Sequence, residues 1–203
     1  MMKGRLKFLK LLNEFRSKNY ELEYVLEVLK DAHLEFEVYY RTWCAENDVD
    51  LEELNRKNQR KVDMEFINSQ TTKLRKKVIA EELKEKKPEL KNLYRNIAKK
   101  LHPDKLKDGD PRKWEYEEAF KKASNANASG KWGELFDVVD KYDIYLGEYE
   151  DAIDCLKIDI KRVEEELKRE KSSYSWLLYE AQEEAQKAQV IKNFLKQLFG
   201  WKG

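Results

Sequence analysis

The side chains able to do chemistry are few in this 203-residue chain: two histidines, His33 and His102, and two cysteines, Cys44 and Cys155. His102 is the one set in a pattern, because Pro103 and Asp104 follow it directly. A proline ring disfavours helical backbone at the residue before it, so His102 is pushed toward extended geometry and its imidazole is presented at a loop edge, with the Asp104 carboxylate beside it. An exposed imidazole and carboxylate held side by side suit short-range polar contacts with a partner. Enzymatic work is not expected from them. Only two histidines are available, no glycine-rich loop could cradle a phosphate, and the carboxylates lie in charge-dense stretches without apolar surroundings. No cofactor is expected either. His33 lies beside an apolar seam with no cysteine or acidic cluster at metal-ligand spacing around it. The two isolated cysteines, without a leader-like start or an apolar run long enough to span a bilayer, read as reduced thiols of a cytoplasmic protein, and a membrane is not expected as a partner.

The element that must position His102 runs from Pro88 to Leu101 and reads PELKNLYRNIAKKL. Leu90, Leu93, Ile97 and Leu101 recur at helical spacing, with Tyr94 and Ala98 widening the stripe, while Lys91, Arg95 and Lys99 share another face. One face packs and the other stays wet and positive. Pro88 suits a first helical position, where a missing N–H costs nothing, and Glu89 complements the amino end of the helix dipole. Pro103 forces the stop.

Taken together, the Tyr94-Arg95 pair, the apolar stripe, the Lys99-Lys100-Leu101 ending and the run His102-Pro103-Asp104-Lys105 resemble the second helix and signature loop of a J-domain, the module of the DnaJ family of co-chaperones. The resemblance covers roughly residues 71 to 128. It implies that the chain engages a DnaK-type ATPase chaperone and stimulates its hydrolysis of ATP, through Lys91, Tyr94, Arg95, Lys99, His102, Pro103, Asp104 and Lys105. A third helix is expected from about Pro111, after a turn at Asp108-Gly109 with Asp110 as its N-cap. Glu118 to Lys122 look like the family's third-helix segment, in which Phe120 packs back on the second helix. Where most J-domains carry an isoleucine and an alanine–tyrosine pair, this chain has Ala123 and Ala126-Asn127. The stretch ASNANASG has poor helix propensity and should end at Gly130. No Tyr-x-x-Leu-Gly first helix appears upstream, and residues 71 to 86 would stand in for it. The cysteine-rich zinc module and the glycine/phenylalanine-rich linker of the family are both missing.

Composition bounds the rest. Charged residues make up 40% of the chain, with only seven Gly and three Pro, which fits long helices and little loop. The expected fold is all-α: a J-domain-like helical hairpin carried on long antiparallel coiled-coil arms. Forty-one cations against forty anions leave a net charge of +1, so nothing suggests a phosphate-tracking nucleic-acid binder.

Four segments follow in order. Residues 1–48 form an amino-terminal arm, opening with Leu6, Phe8, Leu11, Leu12 and Phe15 and continuing as a strict seam of Leu22, Val25, Leu29, Ala32, Phe36, Tyr39 and Trp43. Residues 49–87 form a more polar connecting helix, opened by a capping box of Asp50 and Glu53. Residues 88–147 hold the hairpin and a short helix from Trp132 to Tyr142 that caps it. Residues 148–203 form a carboxy-terminal arm. Its three–four repeat runs from Ile153 through Leu156, Ile160, Val163, Leu167, Tyr174, Leu177, Ala181 and Ala188 to Ile191 and Leu195, broken only by Glu170 and Glu184. As one helix it needs a partner, and the amino-terminal seam paired antiparallel is the nearest; self-association into a homodimer is the rival. The apolar tail Leu198, Phe199 and Trp201 either folds back on the seam or docks outside the chain.

Two functions from different classes remain. In the first, the chain is a J-domain co-chaperone or adaptor whose arms replace the usual client-binding module. In the second, it is a structural coiled-coil scaffold or assembly protein of a viral or cellular particle, with a J-shaped hairpin and no chaperone activity; Asn127 and the missing first-helix motif support that reading.

Overall fold

The computed structural model describes residues 2–56, 88–105, 109–147 and 149–202. Every regular element among them is helical: α1 (Met2–Glu46), α2 (Pro88–Leu101), a 3-10 turn (Pro103–Lys105), α3 (Lys113–Ser129), α4 (Trp132–Lys141), α5 (Tyr149–Lys171), α6 (Tyr174–Glu180) and α7 (Glu184–Phe199). The protein is all-α, as a sequence this rich in Lys and Glu and this poor in Gly and Pro requires. The connecting helix is described only over residues 51–56, where the Asp50 carboxylate accepts the Glu53 backbone N–H at 3.0 Å. The rest of it, with the expected first-helix substitute at 71–86, lies outside the described residues. No helix among the described residues is long and apolar enough to cross a membrane.

The chain divides into two compact units, Met1–Asn19 with Lys76–Glu164, and Tyr20–Arg75 with Glu165–Gly203. In the first unit, Leu93, Ile97 and Leu101 of α2 are buried as their spacing predicts, and so are Ala119, Ala123 and Ala126 of α3. The two helices run antiparallel, because Tyr94 meets Phe120 and Ser124 while His102, two turns further along α2, still meets Phe120. Small residues on α3 allow that approach. Helix α3 begins at Lys113, two residues after the expected start, because Asp110 accepts the Arg112 backbone N–H at 2.9 Å and pairs with its guanidinium at 3.0 Å, holding residues 110–112 as a turn. It stops where expected, at Gly130, whose φ of 66° is the left-handed geometry that glycine adopts without strain. Helix α4 buries Leu135, Phe136, Val138 and Val139, and the Phe8 ring of α1 meets Phe136 edge-on at 5.6 Å.

The direction of the arms corrects the antiparallel expectation. Within the first unit, Phe8 of α1 meets Tyr149 of α5 at 5.5 Å between ring centres, and Lys18 pairs with Glu164 at 2.9 Å. Positions therefore advance together along both helices, which run parallel. An apolar seam fixes which face packs but reads the same in either direction, so charged partners and the connection decide. Here the hundred-odd residues between α1 and α5 are long enough to return the chain to the start of α1.

The carboxy-terminal segment is also not one helix. It breaks after Lys171 and again at residues 181–183, beside the two positions, Glu170 and Glu184, where the seam carries a carboxylate. At the first break Ser173 takes extended backbone and its hydroxyl accepts the Trp176 N–H at 3.3 Å, an N-cap that starts α6 afresh. The restart shifts the register: Trp176 and Leu178 are buried and the seam residue Leu177 is exposed. At the second break the Gln186 side chain reaches back to accept the Gln182 N–H at 3.1 Å.

In the second unit the amino-terminal seam is buried from Leu22 to Phe36 and at Trp43, with Tyr39 half-buried. Phe36, Trp43 and Cys44 join Leu178, Ile191 and Leu195 in one apolar cluster. The tail folds back onto it: Trp201 meets Trp43 edge-on at 6.1 Å and Phe199 meets Phe194 at 6.1 Å. Tyr174 donates to Gln197 across α6 and α7. Burial pushes the Cys44 thiol up from its ordinary value, so it behaves as a small apolar residue there.

Candidate functional site

The last helical bond of α2 runs from the His102 N–H to the Ala98 carbonyl at 3.1 Å; Pro103, which has no N–H to continue the ladder, then opens the 3-10 turn. Lys105 N–H closes that turn on the His102 carbonyl at 3.0 Å. The imidazole side chain is 44% exposed and the Asp104 carboxylate 87%. Asp104 N–H reaches His102 Nδ1 at 3.4 Å, and Asp104 Oδ2 lies 3.5 Å from the same nitrogen. The other edge of the ring rests on Phe120 of α3, with ring centres 5.3 Å apart in an edge arrangement. One face of the imidazole is thus fixed by the fold and the rest is offered to solvent.

The other expected contact residues divide into three groups. Arg95, Lys99 and Lys105 are exposed, and Pro103 is half-buried in the turn. Tyr94 is turned inward. Its ring stacks on Phe120 at 6.2 Å and its hydroxyl shares a 2.7 Å hydrogen bond with Ser124. The side chain of Lys91 lies outside the described ones, as do those of residues 88–90. The structure therefore brings His102, Asp104 and Lys105 together in the turn, leaves Arg95 and Lys99 on the wet face of α2, and gives Tyr94 to the hairpin core.

Two residues of α2 have a structural task that their spacing did not assign to them. Lys100 Nζ donates to the carbonyls of Tyr142, and of Asp143 at 3.0 Å, where α4 ends. Asn96 Nδ2 reaches the Tyr145 carbonyl at 3.4 Å. A lysine bridging the carbonyls of a helix end is favourable on dipole grounds, but its place on α2 differs from that of Lys99 only by the face it occupies, and no spacing rule marks it. Further along the hairpin, Lys141 and then Tyr142 donate to Glu115, holding that carboxyl below its usual range.

Among the described residues no group of three His, Cys, Asp or Glu side chains is placed to hold a metal ion. His33 is exposed, its Nδ1 within 2.7 Å of the Ser175 hydroxyl.

No family model, no curated protein and no solved structure matches this chain. What the hairpin is for rests on its residues and their geometry.

Proposed function

We propose that the chain is a J-domain-type co-chaperone or adaptor that recruits a DnaK-type ATPase chaperone in the cytoplasm and accelerates its ATP hydrolysis through the His102-Pro103-Asp104 turn. The observation that carries this reading is the turn itself: an imidazole and a carboxylate held side by side at the end of a cationic helix, the first 44% and the second 87% exposed. Arg95 and Lys99 supply exposed positive charge that would steer an acidic surface toward the turn, and His102, Asp104 and Lys105 would then make the short contacts. The arms would replace the usual client-binding module. The test is a single-turnover ATPase assay with the host's own chaperone: the protein should accelerate hydrolysis, and a rate unchanged at saturating protein would sink the proposal.

The second reading, a structural coiled-coil scaffold or assembly protein, is favoured by the position of Tyr94. With its ring against Phe120 and its hydroxyl on Ser124, it is occupied within the hairpin and withdrawn from any partner. A scaffold predicts that Tyr94→Phe lowers stability and that no chaperone ATPase responds.

A further inference from the structure

We propose that the outward face of α1 between Leu26 and Val38 is a docking surface for a cationic amphipathic helix of another protein. This goes beyond the His102 turn and does not depend on it. Between Tyr20 and Glu46, α1 carries seven carboxylates against two cations, Lys30 and Arg41, within a chain whose net charge is +1. Both cations are already engaged on the same helix, Lys30 with Glu27 and Arg41 with Glu37, the latter at 2.8 Å. Asp31 and Glu35 are exposed.

Set among these charges are exposed apolar side chains. Leu34 is 67% exposed and Val38 59%, and Leu26 lies two turns before Leu34 at 41%. At 3.6 residues per turn, Leu34 points away from Val25, Ala32 and Phe36, which bury the opposite side of the helix in the second unit's core. Between Leu26 and Val38 the exposed apolar groups stand among four carboxylates, Glu27, Asp31, Glu35 and Glu37, against the single cation Lys30, and this net negative face is the complement of a helix that alternates leucine-like residues with lysine or arginine, laid along α1 so that apolar side chains interdigitate and the cations reach the carboxylates. A second copy of this chain would bring two acidic faces together, and an anionic lipid surface would be repelled.

The test titrates the full-length chain with a labelled synthetic helix of leucine and lysine in heptad pattern, and with its leucine–glutamate counterpart, reading fluorescence anisotropy at low and physiological salt. The lysine peptide should bind and weaken as salt rises, and the glutamate peptide should not bind. The pair Leu34→Ala, Val38→Ala should weaken binding about tenfold, and Asp31→Lys with Glu35→Lys should weaken it and flatten its salt dependence, all with unchanged melting because these side chains are exposed. Equal binding of both peptides, binding indifferent to the four substitutions, or sedimentation showing that Leu34 and Val38 hold a homodimer would overturn the proposal.

Discussion

Asp159 and Asp104 each stand beside the end of a short helix in the same unit, yet the first is 1% exposed and the second 87%. Asp159 belongs to α5 and caps another helix. Its Oδ2 accepts the Gly133 N–H at 2.7 Å where α4 begins, at an end whose own N-cap residue, Lys131, supplies no side-chain acceptor. Burial pushes its carboxyl up, against the pull of the Gly133 N–H and of Arg162, whose Nη2 stands 2.9 Å from Oδ1 without donating to it in line. Asp104 has neither burial nor a helix to cap. A buried carboxylate whose hydrogen bond is lost strands its partner and destabilises the fold, whereas an exposed one that meets only its own turn is free to serve a partner. The contrast separates the part of this unit that holds the structure from the part that can change without unfolding it.

The largest effect is expected at Gly133, on the buried side of the comparison. A Cβ there would fall 2.5 to 2.6 Å from three ring atoms of Phe15. Gly133→Ala should therefore cost about 2 to 3 kcal/mol in denaturant unfolding, the upper part of the range for overpacking a core. Combining it with Phe15→Leu should recover part of the loss, and strict additivity would show that the two do not share the space.

Asp159→Ala comes next. Stranding the Gly133 N–H should cost about 1 to 2 kcal/mol, the desolvation penalty of an unsatisfied buried donor. The same residue gives a pH signature. Because its folded-state pKa is raised above the unfolded value, its favourable contribution is complete below the unfolded pKa, near 3.9, and is lost as pH rises through the folded pKa. Asp137 has the opposite sign: burial alone would raise it, but hydrogen bonds from Arg16 and Lys122 hold it low, so its contribution is present above the unfolded pKa and lost as pH falls through the folded one. Asp159→Asn should remove the first trend, making the variant's stability relative to wild type improve as pH rises from 4 toward neutrality. A pH-independent difference would contradict the assignment.

On the exposed side, Arg95→Glu should leave the melting temperature within the scatter of surface substitutions, about 0.5 kcal/mol. If the proposed function holds, it should weaken chaperone binding several-fold at low salt and less at high salt, because screening already suppresses the interaction there. Salt-independent weakening would mean that Arg95 makes a close contact and does not steer.

The sequence made the local rules legible and left the global choices open. The stripe of Leu93, Ile97 and Leu101, the stop at His102 and the glycine end of α3 follow from spacing and from proline and glycine stereochemistry, whereas the return of Phe120 onto α2 was expected only from the family resemblance; the structure has each of them. The amino-terminal seam was equally plain. Direction was not, since an apolar repeat is the same read backwards and only pairs such as Lys18 with Glu164 show which way the helices run. The break at Ser172-Ser173 was hidden by a repeat that continued numerically across it, although Glu170 was already a position the seam could not bury. Asp159 and Gly133 carry no local signal, because a cap borrowed from another helix leaves no pattern near either residue. For the turn, His102 and Asp104 were found from sequence, whereas the inward position of Tyr94 depends on Ser124, thirty residues away.

The measurement that bears most directly on the account pairs two readouts on one variant, His102→Gln: thermal melting of the protein, and its stimulation of the host chaperone's ATPase. Among the described residues the imidazole meets Phe120 edge-on and its own turn, so the melting curve should match wild type within about 0.5 kcal/mol while stimulation is lost. Retained stimulation, or a melting curve displaced as far as that of Gly133→Ala, would show that His102 belongs to the fold and that the turn is not the point of contact.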